Sequence, residues 1–183
     1  MTTTATTNSG LIDWLQGLVR RNDRARLAAL RRGLLLEPNQ FYELHRVMPP
    51  QFLEGASRAE VQRRTMVAIL FATHQGSFAD DQTDRRGHNL GESLRLLAKK
   101  RAGGAISPED GLPEPLKRRL DALLAAPAEE LFYHLRQVIR LLKADEVPID
   151  WNQLLWDLRS WDREDRRVQW QWSRSFYVGE REA

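Results

Sequence analysis

The chain has 183 residues, of which 42% are hydrophobic and 29% charged, with a formal net charge of +3 and a mean hydropathy of −0.55, the composition of a soluble globular protein rather than a disordered or fibrous one. Its longest strictly apolar run, Met66 to Ala72, has seven residues against the roughly 20 of a spanning helix, which argues against a membrane partner. The absence of cysteine excludes disulfides, thiol nucleophiles, cysteine zinc sites and iron–sulfur clusters, and fits a cytoplasmic location.

In chain order, residues 1–9 read as a disordered tail without the charged and apolar regions of a signal peptide. A helix over about 10–21 puts Leu11, Leu15, Leu18 and Val19 on one face, and Asp23 caps a second that carries Leu27, Leu30 and Leu34. A third begins after Pro38-Asn39 and stops at Pro49-Pro50. Ser57 and Glu60 form a capping box for a helix to about residue 74, whose apolar second half is predicted to be the buried centre of its lobe.

After a polar loop at 75–88, Asn89 and Glu92 start a helix that turns Leu90, Leu94 and Leu97 inward and ends in Lys-Lys-Arg. The glycine-rich stretch 102–111 then marks the boundary between lobes, giving an N-terminal lobe over 10–103, a linker over 104–111 and a C-terminal lobe over 112–178. That second lobe holds a helix at 114–125, another with Pro127 at its first position running to Ala144, a third capped by Asp150, and a last over about 162–178. The whole reads as an all-α protein of eight to nine helices in two bundle-like lobes, with no convincing strand pair and no internal repeat.

Charge is more informative by position than in total. Arginine supplies 24 of the 28 basic residues, and residues 1–143 carry +6 against −3 over 144–183. Arginine offers a planar fork to phosphate and stacks on bases, although an arginine-rich genome produces the same bias. The densest cluster is Arg20, Arg21, Arg24, Arg26, Arg31 and Arg32, against the single acid Asp23. The helix dipole accounts for Arg20, Arg21, Arg31 and Arg32 at helix C-termini, but not for Arg24 and Arg26 at a helix start. Arg136, Arg140 and Lys143 fall on one face of the helix after Pro127, opposite Leu131, Leu135, Val138, Ile139 and Leu142. Arg95, Lys99, Lys100 and Arg101 form a third cluster, readable as a phosphate contact or as a plain charged helix end. In the last helix Arg163, Arg167, Trp170 and Arg174 recur at helical spacing opposite Val168, Trp172 and Phe176. Such a face stacks bases or packs on a neighbour, and Trp151, Trp156 and Trp161 read as core or interface.

The segment Asp80-Asp81-Gln82-Thr83-Asp84, followed by Arg85-Arg86-Gly87, is similar to the aspartate-rich magnesium motif of all-α isoprenoid synthases, but it sits in a loop and lacks a second acidic motif. His74 and His88 bracket it, and default to exposed loop histidines. No phosphate-binding glycine loop, nucleophile elbow or HExxH is present, so no metal, cofactor or catalytic residue is assigned.

Three segments in this order resemble the CasB family, the small subunit of the type I-E CRISPR Cascade complex. They are LRRG (Leu30 to Gly33) followed by Phe41 to Pro49, then HNLGESLRLLA (His88 to Ala98), then LRQVIRLLKADEVPIDWNQLLWDLRSW (Leu135 to Trp161). The resemblance implies two helical lobes and a non-catalytic subunit, present as a pair, that contacts the other Cascade subunits. It would also contact guide RNA, target DNA and the displaced strand without reading sequence. Arg31, Arg32, Arg95, Arg136 and Arg140 are carried over as contacts on this match; Arg20, Arg21, Arg24, Arg26, Lys99, Lys100, Arg101 and Lys143 join them on local charge density alone. Two other classes stay open: a metal-dependent enzyme using His74, Asp80, Asp81, Asp84 and His88, and a protein-only scaffold whose tryptophans bind helices.

Overall fold

Side-chain caps set the starts of four helices, each accepting a backbone amide proton that the first turn leaves without a partner. Asp23 accepts from Arg26 at 3.0 Å, Ser57 from Glu60 at 3.2 Å, Asn89 from Glu92 at 3.2 Å and Asp150 from Gln153 at 2.8 Å. The computed structural model describes residues 6–76, 88–106 and 111–179. By internal contacts the chain forms two compact units, Met1–Gln75 and Gly76–Ala183.

In the first unit, α1 (Thr6–Arg20), α2 (Arg24–Arg32) and α3 (Arg58–Thr73) pack on one another. Between the last two lie three short 3-10 segments, Gly33–Leu35, Pro38–Leu44 and Pro50–Phe52. α1 starts inside the expected tail. The helix expected after Pro38 is 3-10, with Phe41 and Leu44 buried. Met66 to Ala72 are all buried, as their unbroken apolar run predicts. A side chain at Gly33 would meet Ile69 Cγ1 at 2.6 Å and Leu44 Cδ1 at 2.7 Å, so only glycine lets the end of α2 lie on this core. Arg64 is buried yet satisfied, donating to Glu60 Oε1 at 2.9 Å and to the Phe52 carbonyl at 2.8 Å.

The second unit holds α4 (Leu90–Arg101), α5 (Glu114–Ala125), α6 (Ala128–Ala144), α7 (Trp151–Arg159) and α8 (Arg167–Tyr177). Gly91 brings α4 directly against the α8 backbone: a Cβ there would overlap the Trp172 carbonyl oxygen and lie 2.8 Å from its carbon. Trp161 donates to the Ala126 carbonyl at 3.2 Å, and Trp172 to Asp157 Oδ2 at 2.7 Å. Among the described residues no regular strand occurs, and the fold class is all-α as predicted.

Three further boundaries differ from the sequence reading. The two units divide at residue 75/76 rather than in the glycine-rich stretch, because α4 packs on α8 and so groups with the C-terminal helices. Pro127 takes the N-cap position of α6, not its first turn. The last helix begins at Arg167, because Arg166 adopts a left-handed φ of 47° and the Asp165 carboxylate accepts the Arg167 amide proton at 3.2 Å. Arg163 therefore falls outside the expected arginine–tryptophan stripe and pairs with Asp165 at 2.9 Å instead.

Candidate nucleic-acid interface

Of the six candidate arginines in the first unit, Arg20, Arg21, Arg24 and Arg26 lie at the corner between α1 and α2 and Arg31 and Arg32 at the far end of α2, and all six are exposed. Arg24 and Arg26, whose position the dipole does not explain, have local partners. Arg24 Nε donates to Asn22 Oδ1 at 3.0 Å, and Arg26 Nη1 lies 3.7 Å from Asp23 Oδ2. The Arg21 guanidinium covers Gly17. Arg20, Arg31 and Arg32 make no side-chain hydrogen bond or ion pair among the described residues, which leaves their donors to solvent or to another molecule.

In the second unit the seven remaining cations divide by role. Arg95 Nη1 donates to the Phe176 carbonyl at 2.7 Å, closing the last turn of α8 across 81 residues of sequence. Lys100 donates to the Asp145 carbonyl, and Arg101 Nη2 donates to the Asp145 carboxylate at 2.7 Å. Hydrogen bonds from Arg101 hold that carboxyl below the usual range. These three side chains are thus used inside the fold, which the sequence reading did not anticipate. The same contacts join the C-terminal ends of α4 and α6 and bring Lys99 and Lys143 onto neighbouring elements. Arg140 and Lys143 are exposed and make no side-chain ion pair among the described residues. Arg136 is half-buried, its guanidinium 5.1 Å from the centre of the Tyr133 ring.

Val168, Trp172 and Phe176 face inward along α8, while Trp170 is 61% exposed with the Arg174 guanidinium 5.5 Å from its ring. Trp151 and Trp161 are core. Trp156 is 49% exposed and carries Arg159 at 5.2 Å. Beneath this face Asp157 is buried, and desolvation pushes its carboxyl above the ordinary value despite hydrogen bonds from Trp172 and Gln153. Asp150 is raised in the same way.

Asp80, Asp81 and Asp84 lie outside the described residues. Neither flanking histidine is an exposed loop side chain: His74 is buried at the end of α3, and His88 Nδ1 lies 2.6 Å from Glu92 Oε2. Among the described residues no group of three or more histidines and carboxylates is placed to hold a metal ion, and no helix is long and apolar enough to cross a membrane.

A second cationic surface, not singled out by sequence, lies between α5 and α6. It brings Arg118 and Arg119 to Tyr133, which is 51% exposed. The signal was present: Tyr133 lies three residues before Arg136 and extends the Arg136, Arg140 and Lys143 stripe read from charge alone by one turn.

Comparison with known proteins agrees with this architecture. The chain is 30% identical over 168 residues to the CRISPR-associated protein Cse2 of Thermus thermophilus, covering 91% of this chain and 87% of that protein. It superposes on the crystal structure of CasB from Thermus thermophilus with a TM-score of 0.70 at 26% identity, over 93% and 97% of the two chains. It also matches a chain of a CRISPR RNA-guided surveillance complex with a TM-score of 0.71 at 26% identity, over 93% and 91%. The family described as CRISPR-associated protein Cse2 matches residues 26–177, and with that span the chain belongs to the Cse2, or CasB, family.

Proposed function

We propose that this protein is a non-catalytic subunit of an RNA-guided CRISPR surveillance complex of the Cascade type, where it steadies the guide–target heteroduplex and the displaced DNA strand. The observation that carries the reading is a set of exposed cations without a side-chain ion pair among the described residues, Arg20, Arg31 and Arg32 in one unit and Arg140 and Lys143 in the other, in a chain that resembles a chain of such a complex. Exchanging a DNA duplex for an RNA–DNA hybrid of similar stability is nearly balanced in free energy, so contacts to the sugar–phosphate backbone are enough to tip it. Those contacts need charge and reach but no base-reading module. Its partners are then the guide RNA, both DNA strands, the other subunits of the complex and a second copy of itself.

Reconstitution tests the reading. The chain should co-purify with guide RNA and the other subunits, and Arg136→Ala with Arg140→Ala should leave assembly and guide loading intact. The open-target fraction should fall about 5- to 150-fold if the two substitutions remove charge-assisted hydrogen bonds worth about 1–3 kcal/mol. Target opening equal to wild type in that variant, together with inactivity of an Asp80/Asp81/Asp84 triple alanine variant, would overturn it in favour of the acidic loop.

A further inference from the structure

The groove between α5 and α6 has a volume of about 420 Å³, within the usual range of a small-ligand pocket. One wall carries Arg118 and Arg119, the other Tyr133, His134 and Gln137. Among the described residues the cations of α5 outnumber their acidic partners: Glu114 is shared by Lys117 and Arg118, each at 3.4 Å, and Arg119 makes no hydrogen bond or ion pair. On α6, Glu130 Oε2 lies 4.0 Å from His134 Nε2. Tyr133 is held in place rather than loose, with the Arg136 guanidinium at 5.1 Å over one face and the His134 ring edge-on at 5.2 Å. A half-exposed aromatic ring backed by a guanidinium, beside further arginines, combines the two recognition elements of a nucleotide: a π-face for the base and forked donors for the phosphate.

We propose that this groove takes one nucleotide of a single strand, its base stacked on Tyr133 and its phosphate held by Arg118 and Arg119. A duplex does not fit the chemistry, because its base faces are already stacked and closed to a tyrosine. The inference rests on the nucleic-acid reading above and gives the displaced or otherwise unpaired strand a defined point of attachment.

The test compares a fluorescent oligothymidylate with an abasic strand of equal length, which keeps the phosphates and removes the bases. Wild type should bind the oligothymidylate more tightly. Tyr133→Leu should lower that affinity about 5- to 150-fold and leave abasic binding unchanged, while Tyr133→Phe behaves as wild type. Arg119→Ala should weaken both strands and flatten the log–log salt slope by about 0.7. An oligothymidylate carrying 5-iododeoxyuridine should photocrosslink to Tyr133 in the unmodified protein, a readout independent of how the variants fold. Equal affinity of wild type for both strands, or crosslinks only outside the groove, would overturn the inference while leaving backbone binding in place. Failure of wild type to bind either strand would remove the nucleic-acid reading along with it.

Discussion

Arg31 and Arg32 close α2 with their guanidiniums in solvent, whereas Arg95, Lys100 and Arg101 on α4 donate to the Phe176 carbonyl and to Asp145. In sequence the two clusters look alike: Arg31 and Arg32, like Lys100 and Arg101, are basic runs at the C-terminal end of an amphipathic helix, where the dipole favours cations, with Arg95 further back on α4. Their destinations differ because α4 has acceptors within reach, whereas no described residue accepts from Arg31 or Arg32. A guanidinium that satisfies a carbonyl of its own fold has fewer donors left for a phosphate. The comparison therefore ranks the candidates, placing Arg31, Arg32, Arg140 and Lys143 ahead of Arg95, Lys100 and Arg101 as contacts to another molecule.

The largest expected effects test whether α4 is architectural. In Gly91→Ala the new methyl meets the Trp172 backbone, which has no rotamer by which to retreat. Unfolding in urea should show a loss of about 3 kcal/mol, at the upper end of overpacking costs. Arg95→Ala leaves the Phe176 carbonyl without its donor and should cost about 1–3 kcal/mol. If Arg95→Ala unfolds like wild type but abolishes binding of a single strand, the distinction between the two clusters collapses.

A smaller effect sharpens the comparison from the acidic side. Asp157 is raised by burial, so its contribution to stability is present in full below the ordinary carboxylate value of 3.8 and is lost as pH rises through the higher folded value. Asp145 has the opposite sign, because the hydrogen bonds from Arg101 lower it. Its contribution is present above the ordinary value and is lost as pH falls through the depressed one. Asp157→Asn removes the first dependence and keeps an acceptor for Trp172. Its stability relative to wild type, measured by thermal unfolding, should therefore decline as pH falls from neutrality towards 3.8. A stability difference that does not change with pH would contradict the desolvation of Asp157.

What was legible in the sequence was local. Asp23, Ser57, Asn89 and Asp150 cap the helices they were expected to cap, since a cap is decided within four residues. Met66 to Ala72 are buried because a helix apolar all round has no face for solvent. What was not legible depends on residues far apart in the chain. That α4 belongs with the C-terminal helices follows from Gly91 against Trp172 and Arg95 against Phe176, and neither glycine nor arginine announces its partner. The late start of α8 turns on one left-handed residue, Arg166, in a stretch whose charges alternate as they would on a helix. Of the interface, sequence located the cations but not their other obligations, and it missed the α5–α6 groove because its two walls meet only when the helices pack.

The smallest effect on folding is expected where the effect on binding should be clear. Arg31 and Arg32 cap nothing with their side chains and cover no core, so replacing both with alanine should change stability by under about 0.5 kcal/mol, as for surface sites away from any special feature. Alanine also has the better helix propensity, which offsets the missing dipole interaction at the end of α2. Binding should respond differently. Every phosphate that is no longer neutralised takes about 0.7 from the log–log salt slope on a single strand, so the double variant should show a slope shallower by up to about 1.4, with affinities converging on wild type at high salt. The same measurement on Lys100→Ala with Arg101→Ala should give a smaller change in slope, because those side chains are engaged with Asp145 before any strand arrives. Equal changes in slope for the two pairs would mean that the α4 side chains leave Asp145 to bind phosphate, and that an internal partner in the free protein does not predict which arginines the nucleic acid recruits.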